Sequence, residues 1–257
     1  MRLCIFCRNR ADSREHACPK WFLELLNDAS VYAMRGRRPA FKIPGPRPEV
    51  KVRRVCHGCN NGWMSDLEKS ARSILGPLMS DVGFDLSLEY QSTIARWAVK
   101  TAMVFEALRP NHQRWFYSHR DCQLMMTDLA IPATTYVWAA RYAGRSAMNI
   151  DAYDVYGRDE NDVLVQGYVS SFTFGHLALQ LLSFRHRDGG RVVADPKPGP
   201  WHASTIQIWP SIRVLLWPPR LSFYDDGNMA IAHLDRRWSQ GPSPDDPEEA
   251  FKELVPY

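Results

Sequence analysis

An α+β fold, with a small metal-stabilised head ahead of a larger body, follows from three features of the chain. Four of its 6 cysteines fall in two identical spacings, Cys4-Ile-Phe-Cys7 and Cys56-His-Gly-Cys59. Two stretches after the second pair repeat apolar residues at helical spacing. Beyond Pro132 the pattern turns to alternating, aromatic-rich runs bounded by Gly and Pro, which reads as a mostly antiparallel sheet.

With 257 residues, 45% hydrophobic and 23% charged, the chain can bury a core in one or two domains. Its net charge of +4 conceals an uneven split: residues 1–60 hold 13 basic and 5 acidic side chains, a net +8, and the other 197 carry −4. A basic head on a slightly acidic body points to a polyanionic partner at the head. Residues 1–10 turn polar by Arg8 and offer no run suited to a signal peptide. The longest apolar stretch, 172–184, is broken by His176 and Gln180 and falls short of the roughly 18 residues a spanning helix needs. The expectation is a cytoplasmic protein without a membrane segment. Cysteines in such a chain serve metal or catalysis more readily than disulfides.

Two thiolates two residues apart turn around one ion through a tight knuckle, and two knuckles complete a closed tetrahedral shell, the arrangement of structural zinc. Cys4, Cys7, Cys56 and Cys59 are therefore the expected zinc ligands, and the ion supplies folding energy that a small polar head lacks. His57 could replace one of them. Cys18 and Cys122 fall outside the pattern and read as small buried side chains.

Between the knuckles the chain predicts a helix over 19–26, with Pro19 at its tolerated first turn, and strands over 31–34 and 50–55. Arg35, Arg37, Arg38, Lys42, Arg47, Lys51, Arg53 and Arg54 crowd this hairpin. Arginines so placed can neutralise nucleic-acid phosphates; a solvated charged face is the plainer reading. Pro44, Gly45, Pro46 and Pro48 mark a loop tip. After Gly62, Met64, Leu67, Ala71, Ile74, Leu75 and Leu78 line one face of an amphipathic helix, with Trp63 expected to pack beneath the hairpin. A second helix over 87–108 groups Ile94, Trp97, Ala98, Thr101, Phe105 and Leu108. Lys100 lies near that face, and snorkelling to solvent is its expected behaviour.

Strands are expected over 134–142, 146–153, 163–174, 177–184, 204–209 and 212–217, with a loop over 185–201 and an acidic, Pro-rich tail over 242–256. Domain limits follow: a head over 1–80, a helical connector over 81–130, a β-rich domain over 131–238 and the tail over 239–257. His112, His119, His176, His186, His202 and His233 show no ligand spacing and read as structural or solvated.

Between the knuckles stands Glu15-His16, followed by Pro19 and Trp21, and Cys59 runs directly into Asn60-Asn61-Gly62-Trp63-Met64. This set, over about residues 3–70, resembles the HNH endonuclease superfamily, the ββα-metal nucleases, in the variant with a four-cysteine zinc site; Arg96-Trp97-Ala98-Val99-Lys100-Thr101 is similar to a segment of longer members. The resemblance implies a ββα-metal head and a metal-dependent endonuclease hydrolysing phosphodiester bonds in DNA, with RNA not excluded. It assigns His16 as the general base, a task suited to a pKa near neutrality. It places Glu15 where the family usually has an Asp that binds a catalytic magnesium or manganese ion, and Asn61 where a side chain completes that ion's shell, with Asn60 adjacent and able to serve instead. Arg35, Arg37, Arg38, Lys51, Arg53 and Arg54 would grip the phosphates. Many members carry an Asn in the second strand that orients the histidine; Lys51 stands there, so orientation must come from a backbone carbonyl or from Asn60. The rival reading is a non-catalytic zinc-ribbon module that binds nucleic acid or regulates through protein contacts.

Overall fold

The structure, a computed structural model, describes residues 2–16, 19–25, 32–35, 41–42, 51–108, 116–144, 148–158, 164–186, 204–223 and 239–240. The expected 44–48 loop tip, most of the 185–201 loop, the 242–256 tail, Cys18, Arg37, Arg38, Arg47, His112, His202 and His233 lie outside these residues.

The head begins with a tight turn. Leu3 bridges Arg10, Cys4 N–H donates to Asn9 O at 2.7 Å, and Arg8 N–H donates to Cys4 O at 3.0 Å, with Arg8 at φ 65. The chain then forms strand β1 (Glu15–His16) and helix α1 (Lys20–Leu25). The next strands are β2 (Tyr32–Arg35), β3 (Phe41–Lys42) and β4 (Lys51–Val52). β4 leads into the second knuckle, where a short helix α2 (His57–Cys59) is capped from both sides: Cys56 Sγ accepts from Cys59 N–H, and Asp12 accepts from His57 N–H at 2.7 Å. A π-helical turn over Asn60–Met64, kinked at Gly62, connects α2 to α3 (Ser65–Met79). Leu67, Ala71, Ile74, Leu75 and Leu78 are all buried on α3, as their spacing requires.

Strands 31–34 and 50–55 do not pair with each other as the sequence suggested. β4 pairs antiparallel with β1, setting Glu15 opposite Val52 and His16 opposite Lys51. β2 pairs with β3 and, in parallel, with a strand of the body, Arg35 lying opposite Asp151. The physical reason is edge satisfaction. A body strand with open N–H and C=O groups takes β2 as partner, while β1 and β4 are stitched together by the knuckles, through Ile5 N–H to Arg54 O (2.9 Å) and Ser13 N–H to Val55 O (3.2 Å).

A short strand β5 (Phe84–Leu86) precedes helix α4 (Leu88–Glu106), whose N-cap Ser87 accepts from Tyr90 N–H at 3.2 Å. α4 is buried on every side rather than along one stripe, with 13 buried residues that include Gln91, Lys100 and Glu106. A helix so enclosed stands at the centre of the molecule, packed between α3 and the sheet. Helix α5 (His119–Asp128) follows, begun by a reciprocal capping box between Ser118 and Asp121.

The body's sheet is built from β6 (Thr135–Tyr142), β7 (Met148–Arg158), β8 (Leu164–Phe174), β9 (Leu177–His186) and β10 (Thr205–Trp209), antiparallel in the spatial order β10-β6-β9-β8-β7 and extended by β2 and β3. The turn between β8 and β9 is the two-residue Gly175-His176, with Gly175 at φ 55, the conformation such a hairpin loop asks of its first residue. The last expected strand is shorter than predicted: β11 (Leu215–Trp217) pairs with β5 outside the main sheet. β12 (Ser222–Phe223) joins β6 and β13 (Ser239–Gln240) joins β7.

Head and body share one hydrophobic core, running from Cys4 and Phe6 through Phe22, Val55 and α3 to Trp97, Phe172, Phe174 and Trp217. Phe22 makes the join, its ring 4.4 Å from that of Phe174 and 5.4 Å from that of Trp97.

Candidate functional site

The two knuckles bring all four predicted sulfurs together. The Sγ atoms of Cys4, Cys7, Cys56 and Cys59 lie within 4.8 Å of one another, with Cys7 and Cys56 at 3.4 Å. A tetrahedron of sulfurs about 2.3 Å from a central ion has edges of about 3.8 Å, so the cluster fits one metal ion, and four thiolates are the donor set of structural zinc. The thiol of Cys59 and nearby backbone N–H groups hold Cys4 down to about 4 against the effect of burial, while Cys59 is pushed far up. Trp63 packs edge-to-face on Phe6 at 4.9 Å, and Met126 of α5 reaches Cys59 Sγ at 3.7 Å. His119 Nδ1 meets Ile5 O at 3.2 Å, tying α5 to the first knuckle.

His57 is exposed and is not part of the sulfur cluster, its Nε2 lying 2.7 Å from Asn61 Nδ2. Asn61 is exposed with it. Asn60 faces the other way: its Nδ2 donates to Ser13 Oγ at 3.4 Å, on the segment that enters β1, and Ser13 Oγ in turn donates to Val55 O at 2.9 Å. Of the two adjacent asparagines, Asn60 is the one bonded to the segment that leads into the strand bearing Glu15 and His16.

Glu15 is only 5% exposed, and burial pushes its carboxyl up to about 7, with Lys100 pulling it down and Glu68 pushing it up. His16 is half-buried beside it, its Nε2 screened from solvent. Lys51, the cross-strand neighbour of His16, is exposed, as is Arg53; Arg54 is half-buried. Arg35 sits on β2 in the body's sheet, so the basic side chains expected on one hairpin are divided between two sheets.

Comparison with protein-family models, curated proteins and solved structures finds no match to this chain. What the residues themselves show is a cluster of four cysteines able to hold one metal ion, in an α+β fold. Among the described residues it is the one group of three or more His, Cys, Asp or Glu side chains that converges as a metal site, and no helix is long and apolar enough to cross a membrane.

The expectation for Lys100 is corrected, and its partner Glu68 was not singled out by the sequence. Lys100 does not snorkel: it is 2% exposed, and its Nζ donates to Glu68 Oε1 of α3 at 2.9 Å. Its position near an apolar helix face was the available signal. That such a lysine stays buried depends on a carboxylate from another helix, which spacing within α4 cannot reveal.

Proposed function

We propose that the head is a metal-dependent phosphodiesterase of the HNH type acting on DNA, stabilised by zinc at Cys4, Cys7, Cys56 and Cys59. The observation that carries this reading is the ββα arrangement around Glu15-His16: β1 and β4 pair, the chain passes the second knuckle, and the helix that follows begins with Asn60 bonded to the segment entering β1. His16 accepts a proton from the attacking water, and its half-buried ring keeps a fixed direction for that transfer. Glu15 presents the carboxylate that the family resemblance assigns to the divalent cation. Asn60, rather than Asn61, has its side-chain amide bonded to the segment entering that strand and is the asparagine assigned to the ion. A bound Mg2+ or Mn2+ ion would neutralise charge on the scissile phosphate and the leaving oxygen; with few protein ligands at hand, most of its shell would be water. Lys51 and Arg53, exposed beside His16, serve as phosphate contacts, and Arg54 stands next to them.

A nucleic-acid-binding module without cleavage is favoured by one observation, the pairing of Asn61 with His57 away from β1. Incubating supercoiled DNA with the protein and Mg2+ or Mn2+ separates the two readings: nicking by wild type that His16→Ala loses supports hydrolysis, and retention of DNA without nicking by either supports the binding module.

A further inference from the structure

The body contributes a buried charge to α3, the helix that follows the second knuckle. Lys100 lies in the middle of α4, 85 residues from Glu15, and is as buried as the core around it. Its ammonium donates to Glu68 at 2.9 Å and stands 5.8 Å from the centre of the Trp97 ring, which packs on Phe22 and Phe174. Glu68 lies about two turns beyond Asn60, past the kink at Gly62, and its side chain is 24% exposed, so the pair is sealed at the lysine end and opens at the carboxylate end. Both groups act electrostatically on Glu15. The pair thus ties α4 to α3, the helix that continues the run from the second knuckle.

A pair of this kind needs a reason other than stability. Removing two charges from water costs about as much as their attraction returns, and apolar residues of similar volume commonly serve a core as well. What the pair does provide is direction: a buried ammonium with one good acceptor fixes the helix that carries that acceptor. We propose that Lys100 is a positioning residue of the hydrolytic site, holding α3 through Glu68 at a set distance from the strand bearing Glu15 and His16, so that the asparagine at the helix entry and Glu15 can share one divalent ion. The inference rests on the nuclease reading, because the ion is part of it.

The test uses the full-length, zinc-loaded protein and Mn2+ alone as probe. Lys100→Met strands Glu68 without its partner and is expected to lower thermal stability. Adding Glu68→Gln removes the orphaned charge and should recover most of the melting temperature. If the pair positions the site, the double variant keeps its zinc yet binds Mn2+ about 10-fold more weakly, and kcat for cleavage falls by about 10-fold to 100-fold with KM unchanged, the range seen when residues supporting metal ligands are lost. A double variant with wild-type Mn2+ affinity and wild-type kcat overturns the proposal and leaves the pair a packing feature. Failure of the underlying reading shows separately, in the wild type: no Mn2+ bound beyond the zinc site strikes the Glu15 ion site and takes the lysine's role with it.

Discussion

Glu15 is a carboxylate held where water scarcely reaches, and its titration follows from that. Its ordinary pKa of 4.5 becomes about 7 in the folded protein. Between these values the folded state keeps a proton that the unfolded chain has released, so stability is greatest below about pH 4.5, declines as pH rises and has lost the full contribution above 7. Without added divalent ion, Glu15→Gln is therefore expected to be more stable than wild type at pH 8, by on the order of 3 kcal/mol, and equal to it near pH 4. Urea denaturation at the two pH values measures this. Equal stability at pH 8 would show that Glu15 is better solvated or better paired than its burial implies. Lys100 teaches the complementary lesson. Its place among apolar neighbours on α4 was legible in the sequence, but its partner, Glu68 on another helix, was not.

At the level of elements, the spacing of Leu67, Ala71, Ile74, Leu75 and Leu78 located α3, and the alternating runs located β6, β8, β9 and β10 to within a few residues, because each pattern reports burial on a single element. Pairing was less legible. Runs 31–34 and 50–55 both read as strands, yet pairing depends on which open edge is nearby, and β2 found the body's β7 while β4 found β1. The four-cysteine cluster was the most legible feature, since the chemistry of one ion fixes residue type and spacing together. It also joins the elements of the head: α2, the π-helical turn and the first knuckle meet at its sulfurs. Zinc bound to such a site supplies on the order of 10 kcal/mol of folding free energy. Cys56→Ser is accordingly expected to lose the metal, measured by native mass spectrometry, and with it the near-ultraviolet circular dichroism contributed by Trp63 against Phe6. Full retention of zinc and of that signal would contradict the assignment.

For the molecule as a whole, the head expected over 1–80 and the residues that follow it contribute to one core of buried side chains. Phe22, fully buried, rests on Trp97 and Phe174, and the turn at His176 donates its N–H to Met79 O at 2.9 Å, closing the sheet onto the end of α3. A fragment ending at residue 80 would expose these faces, and it is expected to give a poorly dispersed 15N–1H correlation spectrum even with zinc present; a dispersed spectrum would restore an independent head. Lys51 and Arg53, at and just beyond β4, are exposed, and Lys51 lies opposite His16; on the proposed reading they place part of the chain's positive excess where phosphates would lie. The most direct measurement is the single-turnover rate of phosphodiester cleavage in DNA by the zinc-loaded protein with Mg2+ or Mn2+, beside His16→Ala prepared in the same way. The account predicts metal-dependent cleavage that falls by about 100-fold to 10,000-fold in the variant, the usual worth of a general base; equal rates in the two proteins would contradict it.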